Sequence, residues 1–115
     1  MHKVDVMIKE VKLEIYVPEE FVATIQHALH DIGVGIVGKY DHVMSYHCVK
    51  GRWRPLEGSN PHIGKAGEMT EAEEIKMELI CPKEKLREAM DVIRRVHPYE
   101  EPVCHVIPLL DRSSF

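Results

Sequence analysis

The sequence predicts a single α+β domain over residues 1–115, with the element order strand, helix, strand, strand, helix, strand. Two observations predict it: a strand–helix unit that occurs twice, and a glycine- and proline-rich segment between the two copies. When the sequence is shifted by 64 positions, residues 14–18 (EIYVP) align with residues 78–82 (ELICP). Such self-similarity is typical of a repeated supersecondary unit. The length suffices for one domain with a hydrophobic core.

The first unit begins with apolar residues at every second position over residues 11–17, which is the period of a strand. Pro18 ends this strand and suits the first turn of a helix, where its missing N–H is not needed. Apolar residues then recur at helical spacing and predict an amphipathic helix over residues 19–32. Gly33 is predicted to end that helix as a left-handed cap.

The second unit repeats this pattern with a strand over residues 75–81, Pro82, and a helix over residues 83–96. His97-Pro98 ends the second helix, because a residue before proline leaves the helical region. A further strand follows each helix, over residues 36–50 and 103–109. The resulting order, βαββαβ, is the ferredoxin-like arrangement.

Residues 51–68 separate the two halves and contain four glycines and two prolines. This composition predicts a long loop, or a hairpin with an excursion. A long loop inside a compact domain is usually functional.

Three stretches resemble a known family: residues 35–42 (GIVGKYDH), 53–67 (WRPLEGSNPHIGKAG) and 97–102 (HPYEEP). They are similar to the central domain of YqfO-type, Nif-three-like proteins and of their short stand-alone relatives. The resemblance implies a CutA-like and, more distantly, PII-like fold that is commonly trimeric. The long relatives carry a two-metal site in a flanking domain that we expect this protein to lack, so the resemblance does not imply their hydrolase-type activity. Val43 and Met44 stand where the family often has a cysteine.

The HPYEEP segment is the first candidate site. His97, Glu100 and Glu101 are suitable ligands for Zn²⁺, Mn²⁺ or Ni²⁺, and proline holds the backbone stiff. In the structural alternative, a charged His97 caps the second helix and Tyr99 packs between helix and sheet. The two glutamates would then pair with basic residues such as Arg52 or Arg54.

The second candidate is the NPHIG segment, with Asn60, His62 and Gly64 as ligand-binding residues together with Tyr99. Asn before Pro starts a turn, and glycine lets backbone N–H groups approach an anion or a neighbouring subunit. Trp53, between two arginines, is either an interface anchor or a stacking platform.

Histidines elsewhere in the chain are the third set of candidates. His42 is predicted on a strand with Asp41, and a metal could join His42 to the HPYEEP segment if their strands are neighbours. His27 and His30 lie off the apolar stripe of the first helix, so a solvated face is expected there. Cys81 and Cys104 are expected to be buried, inert thiols.

Composition excludes several classes of protein. A net charge of −4 argues against a general nucleic-acid binder, and the longest apolar stretch, residues 32–38, is too short to span a bilayer. Three cysteines without CxxC spacing and no visible secretory signal favour a cytoplasmic protein.

No catalytic motif is evident, so the leading hypothesis is a non-enzymatic binding or regulatory module that holds a divalent cation or small ligand. We expect a homotrimer, because the edges of a small sheet need covering. The alternatives are a purely structural oligomerisation domain and a small enzyme acting on a phosphate-bearing metabolite.

Overall fold

Four antiparallel strands and two helices form the fold in a computed structural model that describes residues 7–115. The strands are β1 (Glu10–Val17), β2 (Ser45–Trp53), β3 (Thr70–Pro82) and β4 (Cys104–Leu109), and the helices are α1 (Val22–Asp31) and α2 (Leu86–Val96). Each helix is preceded by one turn of 3₁₀ helix, Glu19–Phe21 and Lys83–Lys85, and a third 3₁₀ turn spans Arg112–Ser114. The predicted α+β, ferredoxin-like βαββαβ order is confirmed.

The sheet has the strand order β2-β3-β1-β4. The repeated strands β1 and β3 are its centre and pair directly with each other, with Leu13 opposite Leu79. Strands β2 and β4 are the two edges. The two copies of the strand–helix unit therefore place their alternating apolar residues side by side on one face of the sheet.

The core lies between this face and the two helices. Both sheet and helices contribute buried apolar residues to it: Val11, Leu13, Ile15, Val17, Ile25, Leu29, Val34, Ile75, Met77, Leu79, Cys81, Ala89, Val92 and Ile93. Ile25 and Leu29 belong to the stripe predicted on α1, and Ala89 and Ile93 to the stripe predicted on α2. Burial of an aliphatic side chain contributes about 1.5–3 kcal/mol, so this face dominates the stability of the fold.

The connection between α1 and β2 differs from the prediction. The predicted strand over residues 36–50 begins only at Ser45, and residues 32–44 form a loop. Gly33, Gly35 and Gly38 have φ of 85°, 86° and 57°, which strand geometry does not allow. Gly33 acts as the predicted left-handed cap, and the later glycines fold the chain back so that the Val43 N–H donates to the Gly35 carbonyl.

A two-stranded arm projects from the sheet. Thr70 to Glu74 of β3 pair only with β2, because the partner strand β1 reaches only as far as Ile75. Residues 54–69 connect the two strands without helix or strand, and this loop folds back towards the sheet, where the Asn60 N–H donates to Glu100. The radius of gyration is 16.4 Å, compared with about 13 Å for a compact chain of this length. The molecule is therefore less compact than an average domain of this length.

None of the helices within residues 7–115 is long and apolar enough to cross a membrane. The prediction of a single domain over residues 1–115 remains a prediction.

Candidate functional site

The HPYEEP segment directly follows α2. Pro98 keeps His97 extended, with φ −74° and ψ 137°, and this turns the imidazole inward, where it is only 6% exposed. The Tyr99 N–H donates to Nδ1 of His97 over 3.1 Å, so the ring proton must be on Nε2. Nε2 lies 2.6 Å from the Tyr16 carbonyl oxygen, to which it donates. The ring thus ties the end of α2 to the end of β1.

Burial lowers the pKa of His97, and its hydrogen bond to the Tyr16 carbonyl offsets this only in part. The structural alternative of a charged helix cap is therefore wrong, because the ring is held neutral. Both ring nitrogens already have partners in the chain. A metal ion at His97 would have to displace one of these two hydrogen bonds.

Glu100 joins the HPYEEP segment to the loop of residues 54–69. Its two carboxylate oxygens accept the Asn60 N–H over 3.1 and 3.2 Å. An N–H that an anion-binding loop would offer to a ligand is thus occupied by the chain's own carboxylate. The proposed pairing of Glu100 with Arg52 or Arg54 is wrong, since Arg52 approaches Glu71 instead, at 3.8 Å.

A pocket of about 440 Å³ lies where the two segments meet at the base of the arm. Four strands, the loop of residues 54–69 and the segment of residues 97–103 contribute to its lining: Tyr16, Gly51, Arg52, Trp53, Pro55, Ser59, Pro61, His62, Ile63, Glu74, Tyr99, Glu100, Glu101, Val103 and His105. Most of the lining surface is apolar. Its volume is within the range of small-molecule sites.

Aromatic side chains form one wall of this pocket. The ring centroids of Trp53 and Tyr99 are 6.2 Å apart, and those of His62 and Tyr99 are 5.8 Å apart. Trp53 Nε1 donates to the Ile63 carbonyl over 3.2 Å, which holds the indole against the loop. The wall can therefore offer flat apolar faces to a ligand.

Glu74 and Tyr99 provide the polar part of the pocket. Glu74 is 7% exposed, and its carboxylate lies over Gly51, where a Cβ atom would be 1.8 Å from Oε1. The Tyr99 hydroxyl is buried beside the Glu74 carboxylate, although no group among the described residues meets strict hydrogen-bond geometry with it. Burial raises the pKa of Tyr99, and the nearby Glu74 carboxylate raises it further, so the hydroxyl keeps its proton.

The structure brings four of the predicted site residues to this pocket: His62, Tyr99, Glu100 and Glu101. Asn60 contributes through its backbone. Gly64 has a φ of 107°, and a Cβ there would be 2.5 Å from Thr70 Oγ1, so loop packing explains this glycine.

Sequence reasoning missed Glu74 as part of the pocket. Its only signal was Gly51, a glycine on a strand, which often marks a close approach by another group.

A second cluster of polar residues lies at the end of α1. One nitrogen or oxygen ligand atom from each of His30, Asp41 and His42 lies within 4.8 Å of the others. The rings of His30 and His42 are stacked with centroids 3.8 Å apart, and His42 Nδ1 lies 3.0 Å from Asp41 Oδ1. This hydrogen bond lowers the pKa of Asp41.

The cluster corrects two predictions. Asp41 and His42 belong to the loop before β2, not to a strand, and the edge strands β2 and β4 are not neighbours. The condition for joining His42 to the HPYEEP segment through adjacent strands therefore fails. His30 is not on a fully solvated face, because its Nδ1 is buried and has no hydrogen-bond partner among residues 7–115.

The thiols of Cys81 and Cys104 are buried and partly buried, respectively. Burial raises the pKa of each to about 11, so both are protonated near neutral pH. Low thiolate content makes them poor nucleophiles.

The fold is that of a small ferredoxin-like, CutA-like module. The CutA protein of Archaeoglobus fulgidus superposes with a TM-score of 0.65 over 87% of this chain and 83% of its own, at 19% identity. A Bacillus cereus protein related to NIF3 superposes with a TM-score of 0.76 over 89% of this chain and 26% of its own, at 29% identity. At 19% identity, the likeness to the CutA protein shows the fold alone.

Within that fold class, the chain is a relative of the YqfO-type, Nif-three-like proteins, as its motifs predicted. It is 33% identical over 98 residues to a Bacillus subtilis protein and 34% identical over 103 residues to one from Halalkalibacterium halodurans. Both relatives are named GTP cyclohydrolase 1 type 2 homolog. The matches cover 85% and 90% of this chain but only 26% and 28% of those relatives. No protein-family model matches the chain.

Proposed function

We propose that the protein is a non-enzymatic binding or regulatory module that assembles as a homotrimer and holds a small ligand in the pocket at the base of the arm. One observation carries the proposal. Two motifs about 40 positions apart in sequence close on one largely apolar pocket of about 440 Å³, with the buried Glu74 carboxylate and the Tyr99 hydroxyl beside each other in its lining. A ligand with hydrogen-bond donors would give this buried polar pair a partner.

The lining favours a flat apolar ligand that carries a positive charge or hydrogen-bond donors. Glu74, Glu100 and Glu101 place three carboxylates around the pocket, whereas Arg52 is the guanidinium in its lining. Aromatic faces attract cations as well as other rings. The same carboxylates would repel a phosphate, which weighs against the alternative of an enzyme acting on a phosphate-bearing metabolite.

The projecting arm supports an oligomer. An isolated two-stranded ribbon is marginally stable in water, and β2 leaves an unpaired strand edge along the arm. A neighbouring subunit that covers this edge would stabilise the arm and, with it, the pocket. The number three comes from the CutA-like fold by analogy. A purely structural oligomerisation domain would share this feature but would have no use for the pocket.

A divalent cation at the HPYEEP segment is the weaker alternative. Glu100 is engaged by the Asn60 N–H, and both nitrogens of His97 have partners. Of the three ligands predicted in the HPYEEP segment, Glu101 is the one that makes no hydrogen bond or ion pair with another described residue. A lone exposed carboxylate is a poor site for a transition metal.

The test uses Trp53, the single tryptophan of the chain, as an intrinsic reporter in the pocket wall. The probes share one ring and differ in charge: 2-phenylethylamine, 2-phenylethanol and 3-phenylpropionate. We expect the amine to change Trp53 emission and raise the melting temperature. It should bind about tenfold more tightly than the carboxylate, a difference of about 1.4 kcal/mol.

Two variants and a control locate the effect. Tyr99→Phe removes only the buried hydroxyl, and Glu74→Gln removes only the charge, so both should weaken binding of the amine. Tyr46→Phe makes the same change at a tyrosine of β2 that is 59% exposed and should leave binding unaltered. Absence of any response to all three probes, or tighter binding of the carboxylate, would refute the proposed function.

A further inference from the structure

We propose that His30, Asp41 and His42 form a site for a divalent transition metal of the Zn²⁺ type, with water completing the coordination. The site is separate from the ligand pocket, and neither proposal depends on the other. One ligand atom of each residue lies within 4.8 Å of the others, and rotation of the two stacked imidazole rings away from each other would let them converge on one ion. Two imidazoles and one carboxylate are a donor set that zinc and its first-row neighbours bind, typically with a fourth position open.

The state of His30 points to a ligand. Its Nδ1 is buried, and among the described residues no hydrogen-bond partner reaches it. A buried polar atom without a partner is destabilising, because it has lost its hydrogen bonds to water. Coordination of a metal through Nδ1 would satisfy this nitrogen.

The backbone around the cluster holds the three side chains together. His42 has a φ of 54°, which an L residue with a Cβ atom rarely adopts. Its carbonyl oxygen accepts a hydrogen bond from Gln26 Nε2 over 2.9 Å, which ties the loop to α1 one turn before His30. With this backbone, the His42 ring stacks on that of His30.

A bound metal would join α1 covalently, through coordination bonds, to the loop of residues 32–44. That loop otherwise depends on a few hydrogen bonds, among them Val43 N–H to the Gly35 carbonyl. We therefore expect metal to slow local opening of the loop as well as to stabilise the whole domain, because binding to the folded state alone raises its stability.

The experiment measures Zn²⁺ binding by calorimetry and the visible absorption of bound Co²⁺ on the full, tag-free chain. About one ion per chain is expected for the unaltered protein. His42→Ala and Asp41→Asn should each reduce the affinity for metal at least about tenfold. Loss of a residue that only hydrogen-bonds to a metal ligand already reduces metal affinity by about that factor. Asp41 has a 62% exposed side chain, so Asp41→Asn preserves the fold.

Two controls separate this site from other histidines and from the HPYEEP segment. His47→Ala removes an exposed histidine of β2 and should leave binding unaltered. The double variant Glu100→Gln/Glu101→Gln should also bind one ion. The proposal is overturned if the unaltered chain binds neither Zn²⁺ nor Co²⁺ at about 100 μM, if Asp41→Asn and His42→Ala bind normally, or if the double variant alone loses binding.

Discussion

Replacing His97 by alanine tests whether this residue is a structural link or a metal ligand. The change removes the hydrogen bond to the Tyr16 carbonyl and leaves the Tyr99 N–H without its acceptor. Each bond contributes about 1 kcal/mol, and the buried groups left unpaired add to the loss. The removed imidazole also leaves a small cavity. Together, these losses should lower the free energy of unfolding by about 2–4 kcal/mol at pH 7.5.

The effect should depend on pH in a defined direction. Burial lowers the pKa of His97 in the folded state below its ordinary value of 6.5. Below that value the unfolded chain binds more protons at this residue, so its contribution to stability decreases as pH falls, until pH reaches the lowered pKa of the folded state. The destabilisation caused by His97→Ala should therefore be smaller at pH 5.5 than at pH 7.5.

The assay is urea unfolding followed by Trp53 fluorescence and circular dichroism, at pH 7.5 and 5.5 and at one protein concentration. His47→Ala, at an exposed position of β2, serves as the matched control and should change stability by less than about 0.5 kcal/mol. A loss below about 0.5 kcal/mol at pH 7.5 would refute the reasoning. So would a loss that appears only when metal is present in the unaltered protein and vanishes with chelator.

Two further predictions concern the arm. Light scattering at micromolar concentration should give a mass of about 40 kDa, for three chains of 13.3 kDa each; a mass of 13.3 kDa would contradict the homotrimer. Gly51→Ala should push the Glu74 carboxylate out of the space above the strand, since the new Cβ would lie 1.8 Å from Oε1. We expect a loss of about 1 kcal/mol in urea unfolding and weaker binding of 2-phenylethylamine, with Lys50→Ala at the adjacent exposed position as the control. Unchanged binding would show that Glu74 does not contribute to the pocket.

The repeated unit explains why the fold was predictable. Alternating apolar residues in β1 and β3, and apolar stripes in α1 and α2, depend on the period of each element alone. Because both units have the same pattern, it was also predictable that their apolar residues are buried in one common core. The prediction failed where the period was ambiguous: residues 36–44 are apolar enough for a strand, but Gly35 and Gly38 adopt positive φ.

The candidate sites were predictable only in part. Side chains of the HPYEEP and NPHIG segments meet at one pocket. The direction of each side chain was not predictable, however. His97 turns inward to Tyr16, and Glu100 is held by Asn60, so two of the three predicted metal ligands are used within the chain.

The sequence by itself determined the order of the elements, the apolar face on which they pack, and the family motifs, because these follow from local period and residue type. Only the tertiary structure decided which polar groups meet. Glu74 reaches the pocket through the pairing of β3 with β2, and His30 meets Asp41 and His42 through a loop folded back by glycines. Such contacts depend on strand register and loop closure between residues distant in sequence, and no local pattern carries that information.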